Sequence, residues 1–213
     1  MDYITKLEKL LSPSSALDFK VLDLFAGCGG LSLGFEALGF QTIGYEQDNI
    51  AVETYNKNLA GHCHCQILSQ QTEYQDEIDV IIGGPPCQPL SVGGQQRGID
   101  DHRNGFPAFV KAIKQLQPKI WLFENVRGVL YANRWYLEQI IHELIEQNYI
   151  IDYHLLNAVN FGVPQNRERL FVVGHRCNFH FPKPELEQVI ADNPEHLIHF
   201  NGHKFLGPYV KSI

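Results

Sequence analysis

A chain of 213 residues that is 44% hydrophobic and 19% charged has the size and balance of one globular domain with a large core, which excludes intrinsic disorder and coiled coil. Its formal net charge of −7 argues against nucleic-acid binding driven by total charge. The charge is unevenly spread, however: residues 1–86 hold 4 basic and 12 acidic side chains, residues 87–176 hold 10 and 8, and all seven arginines (Arg97, Arg103, Arg127, Arg134, Arg167, Arg169 and Arg176) fall in the second stretch.

In chain order, Val21–Phe25 reads as a first strand, Gly27-Cys28-Gly29-Gly30 as a turn, and Leu31–Leu38 as a helix closed by Gly39 in a left-handed position. Gln41–Glu46 is a second strand, and Asp48 or Asn49 caps a helix that runs to Asn58. Residues 62–68 form a short third strand. Ile78–Ile82 is a fourth, ended by Gly83-Gly84-Pro85-Pro86 because proline cannot donate to a ladder. Residues 91–105 are glycine-rich, polar and aperiodic, the pattern of a long mobile loop with a functional role. Phe106–Leu116 is helical, Lys119–Glu124 is a fifth strand, and a helix over Asn133–Asn148 precedes strands at Tyr149–Leu156 and Leu170–Gly174. Beyond Gly174 the pattern dissolves among Pro182, Pro184, Pro194 and Pro208. Strands alternating with helices predict an α/β fold, doubly wound, with a mostly parallel sheet and helices on both faces.

The longest uncharged apolar runs, around Val80–Ile82 and Ile120–Phe123, are far shorter than the roughly 20 residues of a membrane span. Met1-Asp2-Tyr3-Ile4 lacks the blocks of a signal peptide. A cytoplasmic location is expected, with Cys28, Cys63, Cys65, Cys87 and Cys177 as free thiols.

In such a sheet, ligands bind beyond the carboxyl ends of the strands, so polar residues there are the first candidates. Asp23 and Phe25 lead into the first glycine turn, and Glu46 ends the second strand 19 residues beyond Gly27, a spacing that suits hydrogen bonds to ribose hydroxyls. The glycines read G-x-G-G-x-x-x-G, which departs from the dinucleotide fingerprint. A tight strand-to-helix connection is the plainer reading of the turn taken alone. Cys87 follows the rigid diproline at the end of the fourth strand and needs nearby positive charge, such as Arg167 and Arg169, to ionise near neutrality; a small buried hydrophobe is the usual fate of a lone cysteine. Glu124 ends the fifth strand on the same edge. There it either stays protonated through burial or pairs with an arginine. If extended, Gln165-Asn166-Arg167-Glu168-Arg169 places Gln165, Arg167 and Arg169 on one face, where two guanidinium groups suit a phosphate or a base carbonyl. His62-Cys63-His64-Cys65 holds good metal ligands, but a strand splits the cysteines and histidines between two faces and no second ligand pair follows at zinc spacing. No metal is expected.

Taken together, these residues resemble the DNA (cytosine-5) methyltransferases that use S-adenosylmethionine. Asp23-Leu24-Phe25-Ala26-Gly27-Cys28-Gly29-Gly30 looks like the family's first motif, Gly84-Pro85-Pro86-Cys87-Gln88 its fourth, Glu124-Asn125-Val126 its sixth, and Gln165-x-Arg167-x-Arg169 its eighth. The resemblance covers residues 19–175 and includes the loop pattern Ser91-x-x-Gly94-x-x-x-Gly98-x-x-Asp101-x-Arg103. It implies the Rossmann-like fold of S-adenosylmethionine-dependent methyltransferases, with a catalytic domain over residues 1–178 and an irregular extension over 179–213. It further implies that Cys87 adds to cytosine C6, Glu124 acts at N3, Arg169 holds the base O2 and Arg167 orders the surrounding backbone. Asp23, Phe25, Gly27, Gly29, Gly30, Glu46, Gln66 and Pro86 would belong to the cofactor site; Gln66 stands where the family has an aspartate that accepts from the adenine amino group. Gln88, Ser91, Arg97, Arg103 and Gln165 would belong to the DNA interface, with double-stranded DNA as the partner. The family continues with a target-recognition domain and segments that complete the cofactor pocket, whereas 39 residues follow Gly174 here. The resemblance therefore implies a split enzyme, with a second polypeptide supplying recognition, in a bacterial, nucleoid-associated restriction–modification setting. A truncated inactive relative is the alternative, and the intact Cys87, Glu124, Arg167 and Arg169 speak against it. A tRNA-modifying relative is disfavoured by the loop after Ser91, and a nicotinamide oxidoreductase by the glycine spacing.

Overall fold

A computed structural model describes residues 5, 11–13, 15–75, 77–86, 104–131, 134–161, 163 and 165–176. Seven strands form one sheet: β1 (Lys20–Leu24), β2 (Gln41–Glu46), β3 (His62–Cys65), β4 (Val80–Gly83), β5 (Ile120–Val126), β6 (Ile150–Asn157) and β7 (Glu168–His175). Their spatial order is β3-β2-β1-β4-β5-β7-β6. The pairs among β1 to β5 are parallel, while β7 runs antiparallel between β5 and β6. The helices are α1 (Gly30–Glu36), α2 (Asn49–Asn58), α3 (Phe106–Leu116) and α4 (Arg134–Ile145). Strand order reverses between β1 and β4, which opens a crevice at their carboxyl ends. The fold is the expected doubly wound, mostly parallel α/β sheet.

Side-chain burial explains why β1 and β4 occupy the centre. All four residues of β4 are buried, as are Val21 to Leu24 of β1, so both faces of these strands need apolar cover. On one face α3 supplies it with Phe106, Phe109, Val110, Ala112 and Ile113. Phe123 of β5 meets Phe106 and Phe109 edge to face at centroid distances of 5.2 and 5.9 Å. Pro107 sits in the first turn of α3, where its missing N–H costs nothing. Asp48 caps α2 by accepting from the Ile50 amide at 2.9 Å. α1 ends at Glu36, two residues before the expected Leu38, and its exit turn passes through Gly39 at φ +92°.

The boundaries that moved did so for tertiary reasons. β4 starts at Val80 because the Asp79 carboxylate is committed to the Lys20 amide and the Lys119 ammonium. β3 stops at Cys65, short of residue 68, after which the Gln66 amide makes one last bond to the Glu46 carbonyl. β5 and β7 run further than expected because their antiparallel register continues to the Val126–Arg169 pair. That register depends on a close packing contact: a Cβ at Gly174 of β7 would lie 2.1 Å from Trp121 Cε2 of β5. Trp121 is fully buried and stacks on Phe123 at 6.0 Å, so it has no free direction in which to yield. Gly174→Ala is therefore expected to cost about 1–3 kcal/mol by overpacking, read as a lower urea midpoint at unchanged slope; an unshifted midpoint would contradict this packing.

The loop over 91–105 and the extension over 179–213 fall outside the described residues except for Asn104 and Gly105. Among the described residues, no helix is long and apolar enough to cross a membrane.

Candidate active site

The turn after β1 is built by three residues with left-handed backbones, Phe25 (φ +62°), Gly27 (φ +54°) and Gly29 (φ +87°). Phe25 bears a strain of about 1–2 kcal/mol that glycine would not. Gly27 and Gly29 serve different ends. A Cβ at Gly27 would meet nothing within 4 Å, so its backbone faces open space, whereas one at Gly29 would lie 2.6 Å from Tyr55 Cδ2 and 2.9 Å from Leu59 Cδ2. Gly27 thus leaves room for a ligand and Gly29 lets the turn pack against α2.

Glu46 ties this turn to the end of β2. Its Oε2 accepts from the Gly27 amide at 3.0 Å, and its Oε1 accepts from the amides of Gln47 and Asp48 at 2.8 and 2.9 Å. Two carboxylate oxygens offer about four acceptor sites, so Glu46 retains capacity for hydroxyl donors. The Gln66 side chain is exposed just past β3. Asp23 behaves differently from the other turn residues. It is 1% exposed, and its Oδ2 lies 2.7 Å from the Ser32 hydroxyl oxygen, beneath the turn and away from its open side.

The end of β4 is held from both flanks. The Pro85 carbonyl accepts from Asn125 Nδ2 at 2.9 Å, and the Pro86 carbonyl accepts from the Gly105 amide at 3.0 Å. A Cβ at Gly105 would collide with Pro86 Cδ at 2.4 Å and with Phe25 Cζ at 2.9 Å, so Phe25, Pro86 and Gly105 form one wall. Cys87 itself lies outside the described residues, as do Gln88, Ser91, Arg97 and Arg103.

Glu124 and Arg169 meet at this edge. Arg169 Nε lies 2.8 Å from Glu124 Oε1, both side chains being about three-quarters buried. Burial raises the Glu124 pKa, and the guanidinium groups of Arg169 and then Arg167 oppose that rise without cancelling it. The structure thus pairs Glu124 with an arginine while burial still pushes its pKa upward. Glu124 Oε2 also lies 3.7 Å from the point where a Gly84 Cβ would stand, which places the carboxyl group against the backbone leading to position 87.

The stretch 165–169 is not extended throughout, because β7 begins only at Glu168. The Gln165 amide turns back to the Val163 carbonyl at 2.7 Å, and the Arg167 amide donates to Asn157 Oδ1 at 3.1 Å. Arg169 alone of the three is delivered by a strand; Gln165 and Arg167 are exposed on the preceding bend. His62–Cys65 lies at one edge of the sheet, with the His62 and His64 rings 4.8 Å apart.

Two features escaped sequence reading. Asn125 clamps the diproline, and the only sign was a polar residue at a buried strand position. Ser32, Thr42 and Tyr55 join Asp23 in a buried hydroxyl cluster that draws on α1, β2 and α2, and such a cluster has no linear spacing to detect.

A model of the C-5 cytosine-specific DNA methylases matches residues 19–204. The type II methyltransferase M.AplI of Arthrospira platensis is 58% identical over 165 residues, which cover 78% of this chain and 48% of that protein. The type II methyltransferase M.AquIA of a Picosynechococcus species is 36% identical, over 79% of this chain and 77% of that protein. A crystal structure of a DNMT2 mutant from Spodoptera frugiperda superposes with a TM-score of 0.64 at 27% identity, covering 78% of this chain and 52% of that one. This chain spans about half the length of the first relatives it matches. With the fold, the strand-end residues and these matches in agreement, the chain belongs to the C-5 cytosine-specific DNA methylase family.

Proposed function

We propose that the chain transfers a methyl group from S-adenosylmethionine to carbon 5 of a cytosine flipped out of double-stranded DNA. The observation that carries this reading is the Glu124–Arg169 pair beside Gly84, on the strand edge that leads into Cys87. Cytosine C5 is a poor nucleophile. Addition of the Cys87 thiolate to C6 converts C5–C6 into an enamine, and a proton or hydrogen bond from Glu124 to N3 withdraws electron density and eases that addition; once C5 carries the methyl group, a base removes the C5 proton and the Cys87 thiolate is eliminated from C6, which restores the ring. Arg169, held against Glu124, presents positive charge to the base O2 and to the thiolate. A target inside a duplex cannot reach these groups, so it must leave the stack at a cost of a few kcal/mol.

The cofactor fits the crevice. Gly27 faces open space, Phe25 supplies an aromatic ring within one wall, and Glu46 keeps acceptor capacity for ribose hydroxyls. Gly29 and Gly30 continue that turn, Pro86 flanks it from the β4 side, and Gln66, exposed past β3, would accept from an adenine amino group without charge. When bound, S-adenosylmethionine supplies an electrophilic sulfonium methyl. Asp23 would act through the shape of the turn rather than by contact, since it is buried beneath it.

Gln88, Ser91, Arg97, Arg103 and Gln165 are assigned to the DNA interface, with sequence recognition supplied by a second polypeptide. The isolated chain is expected to bind DNA only in the nonspecific range, weaker than about 1 μM at physiological salt, in keeping with its net charge of −7. Fluorescence anisotropy with labelled duplexes tests this; tight, sequence-selective binding by the isolated chain would refute the split arrangement. Transfer of a labelled methyl group to DNA once a recognition subunit is added tests the activity, and no transfer would favour the inactive relative.

A further inference from the structure

Below the glycine turn, four oxygen–oxygen contacts run in series. Ser32 Oγ lies 2.7 Å from Asp23 Oδ2, Tyr55 Oη lies 2.9 Å from Ser32 Oγ and 2.8 Å from Thr42 Oγ1, and Thr42 Oγ1 contacts Glu36 Oε1. Each contact requires one hydrogen, but the three hydroxyl groups supply only three between them. The fourth must come from a carboxyl group at one end of the series.

We propose that Asp23 and Glu36 share one proton through the chain Asp23–Ser32–Tyr55–Thr42–Glu36, and that this proton resides on Asp23. The direction follows from what each end offers a negative charge. Glu36 accepts from the backbone amides of Ala60 and Gly61, each at 2.9 Å, as well as from Thr42. Asp23 is 1% exposed, and its Oδ1 has no hydrogen-bond partner among the described residues. Charge therefore sits on Glu36, and Asp23 donates to Ser32, Ser32 to Tyr55, Tyr55 to Thr42 and Thr42 to Glu36. The groups around Asp23 point the same way. Burial raises its pKa from 3.8 to about 7 despite the opposing effect of its contacts with the Ser32 side chain and backbone, and Glu46 at the end of β2 adds to the rise. Tyr55 of α2 and Cys63 of β3, which also interact with Asp23, are themselves pushed up to about 12 by burial and stay neutral.

The arrangement makes the turn pH-sensitive. Asp23 precedes the turn, Ser32 follows it on α1, and Tyr55 packs on Gly29. When Asp23 loses its proton, one contact in the series has no hydrogen and must open, which frees α1 or α2 from the strands that shape the cofactor crevice. Because the folded pKa lies above the unfolded value, the folded chain keeps a proton that the unfolded chain releases. This contribution to stability is complete below pH 3.8, declines as pH rises towards 7 and is flat above that.

This inference is independent of the proposed activity and is tested on the full chain without cofactor or DNA. Carbon-13 carboxyl titration by NMR, with the Asp23 signal assigned by its loss in Asp23→Asn, should give a midpoint near 7. Thr42→Val removes a distant hydroxyl that does not touch Asp23. It leaves two hydroxyl hydrogens for two contacts, so the chain no longer needs a carboxyl proton and the midpoint should fall by about one unit or more. Tyr55→Phe should act in the same direction, which covers failure of either variant to fold. A midpoint that stays put in these variants, as it would for a carboxyl group that is merely buried, overturns the shared proton. So does a wild-type midpoint below 4. As a second readout, the decline in urea stability between pH 4 and 7 should vanish in Asp23→Asn, whose amide donates permanently to Ser32; a persisting decline would assign it to other groups and overturn the role of Asp23.

Discussion

Replacing Cys87 with serine is expected to abolish methyl transfer, by about 10³-fold or more, while leaving S-adenosylmethionine affinity within a few fold. A serine hydroxyl has nearly the size of a thiol but is almost never ionised near neutrality, and the attack on C6 needs an anion. Cofactor affinity should survive because the crevice is assembled by contacts that do not involve position 87: the Glu46 bonds to the Gly27, Gln47 and Asp48 amides, and the wall of Phe25, Pro86 and Gly105. The measurement pairs a labelled-methyl transfer assay, run with and without the proposed recognition subunit, with calorimetric titration of the cofactor. Retained turnover in the variant would rule out the covalent route. Equal loss of turnover and of cofactor binding would mean that the substitution disturbed the fold instead.

The second large effect is expected at Glu124. Glu124→Gln keeps the shape of the side chain and the contact with Arg169 but removes the transferable proton, so the rate should fall by about 10²–10³-fold with little change in stability. The pH profile gives the sharper test. If Glu124 acts while protonated, activity falls as pH rises through its pKa, and burial shifts that limb upward from the ordinary glutamate value. Arg169→Met removes the main charge that opposes this shift, so the limb should move to still higher pH even as the maximal rate drops. A limb that moves down, or does not move, would show that the 2.8 Å pair does not control this titration.

The elements read most accurately from the residues were those with a local cause. β2, α2 and α3 begin and end where strand composition, the Asp48 cap and the apolar period of Phe106 to Ile113 place them. The elements that moved were those whose limits depend on a neighbour. β7 reaches Glu168 because β5 offers it a partner as far as Val126, and Asp79 leaves β4 because Lys20 and Lys119 claim its carboxylate. Among the candidate residues, Glu46, Phe25 and Glu124 could be located because each sits at the end of a recognisable strand. Asp23 resembled them in sequence but differs in role, since alternation along β1 turns it inwards to Ser32.

By itself the sequence determined which residues are present at the strand ends, the parallel βα order and the family these imply. All of that information is carried by neighbours along the chain, through hydrophobic period, capping and turn chemistry. Only the tertiary structure decided that β7 inserts antiparallel beside β5 to set Arg169 against Glu124, that Asn125 holds the diproline, and that five polar side chains from four elements close one hydrogen-bonded series. Such contacts join residues far apart in the chain. Their energies depend on burial and on oxygen–oxygen distances near 2.8 Å, quantities that no local pattern encodes.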